Sequence, residues 1–258
     1  MRMISVIGLF ILCLLMALMR GAAGQSQSSQ PPQNEVFLVA TDSLPLPSGL
    51  IRGLAWLSRD TIVVLTEIPD SLSRTGSRQV FMTYQDQLGS IYRREDFTGT
   101  LARGLAFDGE FLWSCGDEQA GGSLLYKIEP ETCKVKEAFP TSGHRPCGVS
   151  WDGENIWVVD RDSGHLDRFD VEDGTITRSV FAPGFSPYGM AHVDRHSWIS
   201  DTATGRLYRL SGARRRWTAT VDTESFAYRG QDVVLASDGR SLWYALAESS
   251  YALRAHFP

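Results

Sequence analysis

The chain has 258 residues, 43% of them hydrophobic and 21% charged, with a formal net charge of −5. Such a composition supports a globular fold with a sizeable core. The acidic balance excludes a general nucleic-acid binder, which would need a basic face.

The first 24 residues differ from the rest. Arg2 precedes an apolar run from Ile4 to Met19, and Gly21-Ala22-Ala23-Gly24 supplies small residues suited to a signal peptidase. This predicts a cleaved secretory signal over 1–24. Arg20 ends the apolar run short of the roughly 20 residues that a membrane span requires. Residues 25–34, polar and Pro-containing, read as a flexible leader, and 35–258 as a single domain. The expected product is secreted or periplasmic and monomeric, with no membrane span once the signal is removed. Export places Cys115, Cys133 and Cys147 in an oxidising compartment; an odd number leaves at least one unpaired. Two readings stand side by side, a Cys115–Cys147 bridge and three reduced thiols.

Glu35 to Ala40 alternates as a strand. Beyond it, Gly104-Leu105-Ala106-Phe107-Asp108-Gly109-Glu110-Phe111-Leu112-Trp113 recurs as Gly148-Val149-Ser150-Trp151-Asp152-Gly153-Glu154-Asn155-Ile156-Trp157, with weaker copies from Gly53, from Gly189 and near Val234. A period of about 40 to 45 residues, built from short strands and turns, predicts propeller blades. Each copy opens a four-stranded unit, because alternation restarts after every turn signal. In the third copy the strands are Gly148–Trp151, Asn155–Val159, Leu166–Phe169 and Thr175–Phe181, and Asp152-Gly153 suits a tight hairpin. The extra length after Gly53, between Glu67 and Val80, is a loop. Arg214-Arg215-Arg216 reads as a solvated hairpin tip that blunts an edge. The last copy supplies only three strands, around Val233–Ala236, Leu242–Leu246 and Tyr251–His256. The predicted fold is therefore all-β, a five-bladed β-propeller closed by an N-terminal strand that completes the last blade.

With Trp151-Asp152-Gly153-Glu154-Asn155-Ile156-Trp157-Val158, and then Asp160, Gly164, Leu166 and Phe169 at fixed offsets, the chain resembles secreted propellers of the broad YVTN/quinoprotein-like and plant-type glutaminyl cyclase group. The resemblance covers almost all of the mature chain and implies fold more than activity, because the matched positions are turn and packing residues. Plant-type cyclases carry Gln or Glu immediately before the Gly-Leu that opens early blades. Here those positions hold Arg52 and Arg103, so the acid/base machinery does not carry over.

Aligning the repeats places Arg52, Arg103, Arg145 and Arg229 just ahead of the innermost strands, with Tyr188 beside the fourth, at the mouth of the central channel. Guanidinium groups converging there suit a small anion such as a carboxylate, phosphate or sulfate; His144, Tyr228 and Asp232 join them. A second register sets an acid at the end of each second strand: Glu67, Asp117, Asp160, Asp201 and Glu248. These acids either neutralise the arginines and staple neighbouring blades, cap their turns, or ring an oxygen-liganded cation. The histidines lack metal spacing; His192 and His196 straddle a hairpin. No metal and no cofactor is expected. The functional expectation is a binding or scaffold propeller holding a small anionic ligand or a partner protein at the top face. The alternative is an enzyme on the same fold, glutaminyl-peptide cyclotransferase-like or a hydrolase/lyase.

Overall fold

The computed structural model describes residues 39–73, 76–85, 90–97, 101–117, 122–211, 217–221 and 229–256. The predicted signal and leader over 1–34, residues 35–38, Arg214-Arg215-Arg216 and Tyr228 lie outside the described residues. Five antiparallel four-stranded sheets form the five blades of an all-β propeller. Blade one holds β2 (Leu50–Trp56), β3 (Thr61–Pro69), β4 (Ser77–Gln85) and β5 (Ser90–Asp96). Blade two holds β6 (Ala102–Phe107), β7 (Leu112–Asp117), β8 (Ser123–Ile128) and β9 (Val135–Pro140). Blade three holds β10 (Pro146–Trp151), β11 (Ile156–Asp160), β12 (His165–Phe169) and β13 (Ile176–Phe181), and blade four β14 (Pro187–Val193), β15 (His196–Asp201), β16 (Arg206–Ser211) and β17 (Trp217–Val221). Blade five combines β18 (Val233–Ser237), β19 (Leu242–Leu246) and β20 (Tyr251–His256) with β1 (Val39–Pro45), which pairs with β20 as the outermost strand.

The described part of the closing strand extends past the predicted Glu35–Ala40. It continues through Asp42-Ser43-Leu44-Pro45, with a register shift between Ala40 and Asp42, and sets Leu44 into the core. One buried leucine fixes the register of an otherwise polar segment.

Burial grades outward from the axis. Inner and second strands such as β10 and β11 are almost wholly buried because neighbouring blades cover both their faces, whereas the outermost β13 is mostly exposed. The apolar clusters straddle the seams between blades. Phe81 and Phe97 of blade one meet Leu105, Leu112 and Tyr126 of blade two, and Trp113 and Leu125 of blade two meet Val149, Ile156 and Phe169 of blade three. The glycine that opens the repeat lets inner strands approach backbone to backbone. A Cβ on Gly148 would lie 2.4 Å from the Tyr188 carbonyl oxygen, and one on Gly189 2.3 Å from that of Val233.

The three cysteines are buried free thiols, so the Cys115–Cys147 bridge is absent. Cys115 lies 3.2 Å from the Arg103 carbonyl oxygen, and Cys147 lies 3.4 Å from that of Pro187. Burial pushes all three thiols up, that of Cys133 to about 11, which keeps them protonated and poorly nucleophilic.

Candidate functional site

The acids that end the second strands lie beside the starts of the first strands: Glu67 pairs with Leu50 across the ladder, Asp160 with Pro146 and Asp201 with Pro187. Their roles then split by blade. In blades one and two they hold guanidinium groups. Arg52 donates from Nε to Glu67 Oε2 at 2.9 Å, with Nη2 at 2.8 Å, and Ser77 Oγ donates to the other Glu67 oxygen at 2.6 Å. Arg103 Nη1 lies 2.9 Å from Asp117 Oδ2.

In blades three and four the acids hold backbone instead. Asp160 accepts from the amides of Arg145 and Ser163, each at 2.7 Å. Asp201 accepts from the amides of Phe185, Ser186 and Thr204. The connecting loops approach these carboxylates at Gly143 and Gly184, where a Cβ would lie 2.0 and 2.4 Å from a carboxylate oxygen. Because Asp160 is engaged in this way, the Arg145 side chain stays half-exposed, 3.9 Å from Asp162.

Tyr188 occupies the axis. It belongs to blade four, yet its ionisation is coupled to Arg52 of blade one, Cys147 of blade three and Asp232 of blade five, and it acts in turn on Arg103 of blade two. A side chain that senses all four other blades must stand where they converge. Its ring is 2% exposed. Burial, reinforced by the Asp232 charge, raises its hydroxyl to about 12, so it remains a neutral phenol. The hydroxyl lies beside the Arg52 guanidinium without meeting hydrogen-bond geometry.

The third guanidinium at this point is Arg161, which immediately follows Asp160. Its Nε donates to Ser186 Oγ at 2.7 Å, its Nη1 lies 3.0 Å from Asp232 Oδ1, and its Cζ lies 5.7 Å from the centre of the Tyr188 ring. Thr202 Oγ1 donates to the same Asp232 oxygen. Sequence register alone missed Arg161, because Asp160-Arg161-Asp162 has the composition of a turn; the available signal was a cation beside an acid already assigned to the mouth.

The structure thus gathers Arg52, Arg103, Tyr188 and Asp232 around the axis and adds Arg161. His144, Arg145 and Arg229 are exposed, and Arg229 Nε reaches the Ala203 carbonyl oxygen at 3.3 Å. Glu67, Asp117 and Asp232 balance the three axial guanidinium groups, so the mouth alternates in sign instead of forming a bare cationic ring. Among the described residues no cluster of His, Cys, Asp and Glu could hold a metal ion.

Fold and mouth together define a five-bladed β-propeller with a polar, ion-paired channel opening. No family model matches the chain, and no curated protein matches it in sequence. Among solved structures it is similar to the crystal structure of Myxococcus xanthus glutaminyl cyclase, with a TM-score of 0.68 and 12% identity over 87% of this chain and 98% of that one. At that identity the likeness is one of fold.

Proposed function

We propose that this protein is a secreted or periplasmic binding propeller, monomeric once its signal is removed, that holds a small anionic ligand or the carboxylate of a partner protein at the channel mouth. The observation that carries the reading is the meeting of three guanidinium groups, from Arg52, Arg103 and Arg161, around the single axial ring of Tyr188. Each guanidinium has five N–H donors, and the carboxylate partners leave some unspent: Arg103 is held through Nη1 alone, and Arg161 through Nε and Nη1. Side chains 16 to 21% exposed and fixed by their acids form a preorganised donor set that solvent still reaches. A carboxylate or sulfate oxygen would take those donors.

The fold likeness favours the enzymatic alternative, a cyclotransferase or a hydrolase/lyase. The chemistry of the mouth favours binding, because Glu67, Asp117 and Asp232 are committed to arginines and Asp160 and Asp201 to backbone amides. Titration with citrate and sulfate, followed by tryptophan fluorescence and thermal shift, tests the reading. The parent is expected to bind at least one of them, and Arg103→Gln to weaken that binding about tenfold or more. Turnover of a peptide with N-terminal glutamine, abolished by the same substitution, would replace the binding reading with the enzymatic one.

A further inference from the structure

At the end of the channel opposite the mouth, the five first strands finish around a cavity of about 440 Å³, within the size range of small-molecule sites. One repeat position, the residue just before each hairpin turn, supplies Trp56, Phe107, Trp151, His192 and Ser237 to its wall. All five are partly exposed, while the residues directly before them, Ala55, Ala106, Ser150, Ala191 and Ala236, are buried. Small side chains thus leave the space, and rings surround it.

Five of the seven tryptophans fall into two groups. Trp113, Trp157 and Trp243 are the packing set, each with its indole N–H donated to an aspartate of its own hairpin: Asp108, Asp152 and Asp238, at 2.7, 2.7 and 2.9 Å. Trp56 and Trp151 line the cavity, and among the described residues neither indole N–H has a hydrogen-bond partner. The Trp56 ring rests against that of Trp243, centroids 5.2 Å apart, so its orientation is fixed by a neighbour that is itself fixed. The wall therefore presents rigid aromatic faces with unused donors at their edges.

The wall holds one arginine, the exposed Arg59. Asp108 and Asp238 lie in the wall, but each already accepts two backbone amides and an indole N–H. Ser58 and Ser237 accept one backbone amide each, and a hydroxyl so engaged can still donate. Flat apolar faces, indole and hydroxyl donors and spent carboxylates together suit an uncharged ring that carries its own hydroxyl groups. A cation would find only spent carboxylates, an anion would find Arg59 alone at the exposed edge, and a purely apolar ligand would leave the donors unsatisfied.

We propose that this cavity is a saccharide-binding site, in which a pyranose ring lies against Trp56 or Trp151 and its hydroxyls take hydrogen bonds from the indole N–H groups and from Ser58 and Ser237. The site is separate from the mouth and does not depend on the function assigned there. Its ligand is a mono- or disaccharide, since the space closes inward on the ring of alanines and Ser150.

Saturation-transfer NMR and tryptophan fluorescence with glucose, galactose, N-acetylglucosamine and cellobiose, with indole as the apolar comparison, test it on the full mature chain. At least one saccharide is expected to bind with a dissociation constant in the millimolar range or below, and to bind more tightly than indole. Trp151→Ala should weaken that binding tenfold or more, and citrate, directed at the opposite end, should not compete. Ser237→Trp, which adds bulk at the cavity wall without removing a packed side chain, should abolish binding while the circular dichroism spectrum and melting temperature stay close to those of the parent. That variant decides the question if Trp151→Ala fails to fold. Failure of all four sugars to bind, preference for indole, or unchanged binding in the folded Ser237→Trp variant overturns the proposal.

Discussion

Glu67 shows how a single carboxylate organises the mouth. Burial pushes its carboxyl up, but hydrogen bonds from Ser77 and Arg52, together with the Arg52 and Arg103 charges, outweigh that and hold it below the ordinary value of 4.5. A carboxyl more acidic in the folded state than in the unfolded chain stabilises the fold above its unfolded value, and the contribution is lost as pH falls through the folded one. Glu67→Gln should therefore lower the melting temperature at pH 7, and the gap between parent and variant should close as pH drops below about 4.5. A gap that stays constant with pH would mean that Glu67 contributes packing and no charge. The same residues show what could be read from the repeat. Arg52, Arg103 and the row of acids were legible because they occupy fixed offsets from each Gly-Leu-Ala copy. Arg161 was not, because its place at the axis depends on a long side chain reaching past Ser186 to Asp232 of another blade. Sequence register gives the start of a side chain and not the direction in which it extends.

Blades two, three and five are each opened by a hairpin whose Asp-Gly pair divides two tasks. The glycine takes the positive φ, at 104°, 100° and 85° for Gly109, Gly153 and Gly239. The aspartate joins the turn to the following strand. Asp152 Oδ1 accepts the amides of Glu154 and Asn155, at 2.9 and 2.7 Å, and Oδ2 accepts the Trp157 indole N–H. A turn signal was legible in the sequence, yet the bond from aspartate to the tryptophan five residues on was not, because turn statistics describe backbone and say nothing of an indole folding back. Blades one and four lack the arrangement, with Leu57 and Val193 in the aspartate slot. Loss of three hydrogen bonds to a carboxylate should make Asp152→Ala cost about 2–4 kcal/mol, which for a domain of this size is a fall of roughly 5–15 °C in melting temperature. Thermal denaturation of Asp152→Ala beside Glu154→Ala, whose exposed side chain makes no such bridge, measures it; equal melting temperatures would remove the bridge from the stability of the blade.

The apolar clusters of this propeller join residues of different blades, so its cooperativity rests on the contacts between blades and on closure of the ring. Here closure is made by β1. Its Val39 faces His256 and its Pro45 faces Tyr251, so the strand covers the whole outer edge of β20 and delivers Leu44, 2% exposed, against Ala252 and its neighbours. The missing fourth strand of the last repeat was legible by counting; that its pairing runs on to Pro45 was not, because Asp42-Ser43-Leu44-Pro45 has no alternation of its own. If β1 acts solely by completing blade five, its position in the chain is immaterial. A chain beginning at Leu46 and lacking β1 should expose the β20 edge and lose its sharp thermal transition. Residues 39–45 reattached beyond His256 through a short Gly-containing turn should restore that transition to within a few degrees of the parent, since the antiparallel register already sets Val39 beside His256. Differential scanning calorimetry of the two chains separates the cases: a truncated chain that melts like the parent would show that four and three-quarter blades suffice, and a permuted chain that fails to recover would show that the segment preceding β2 does more than close the ring.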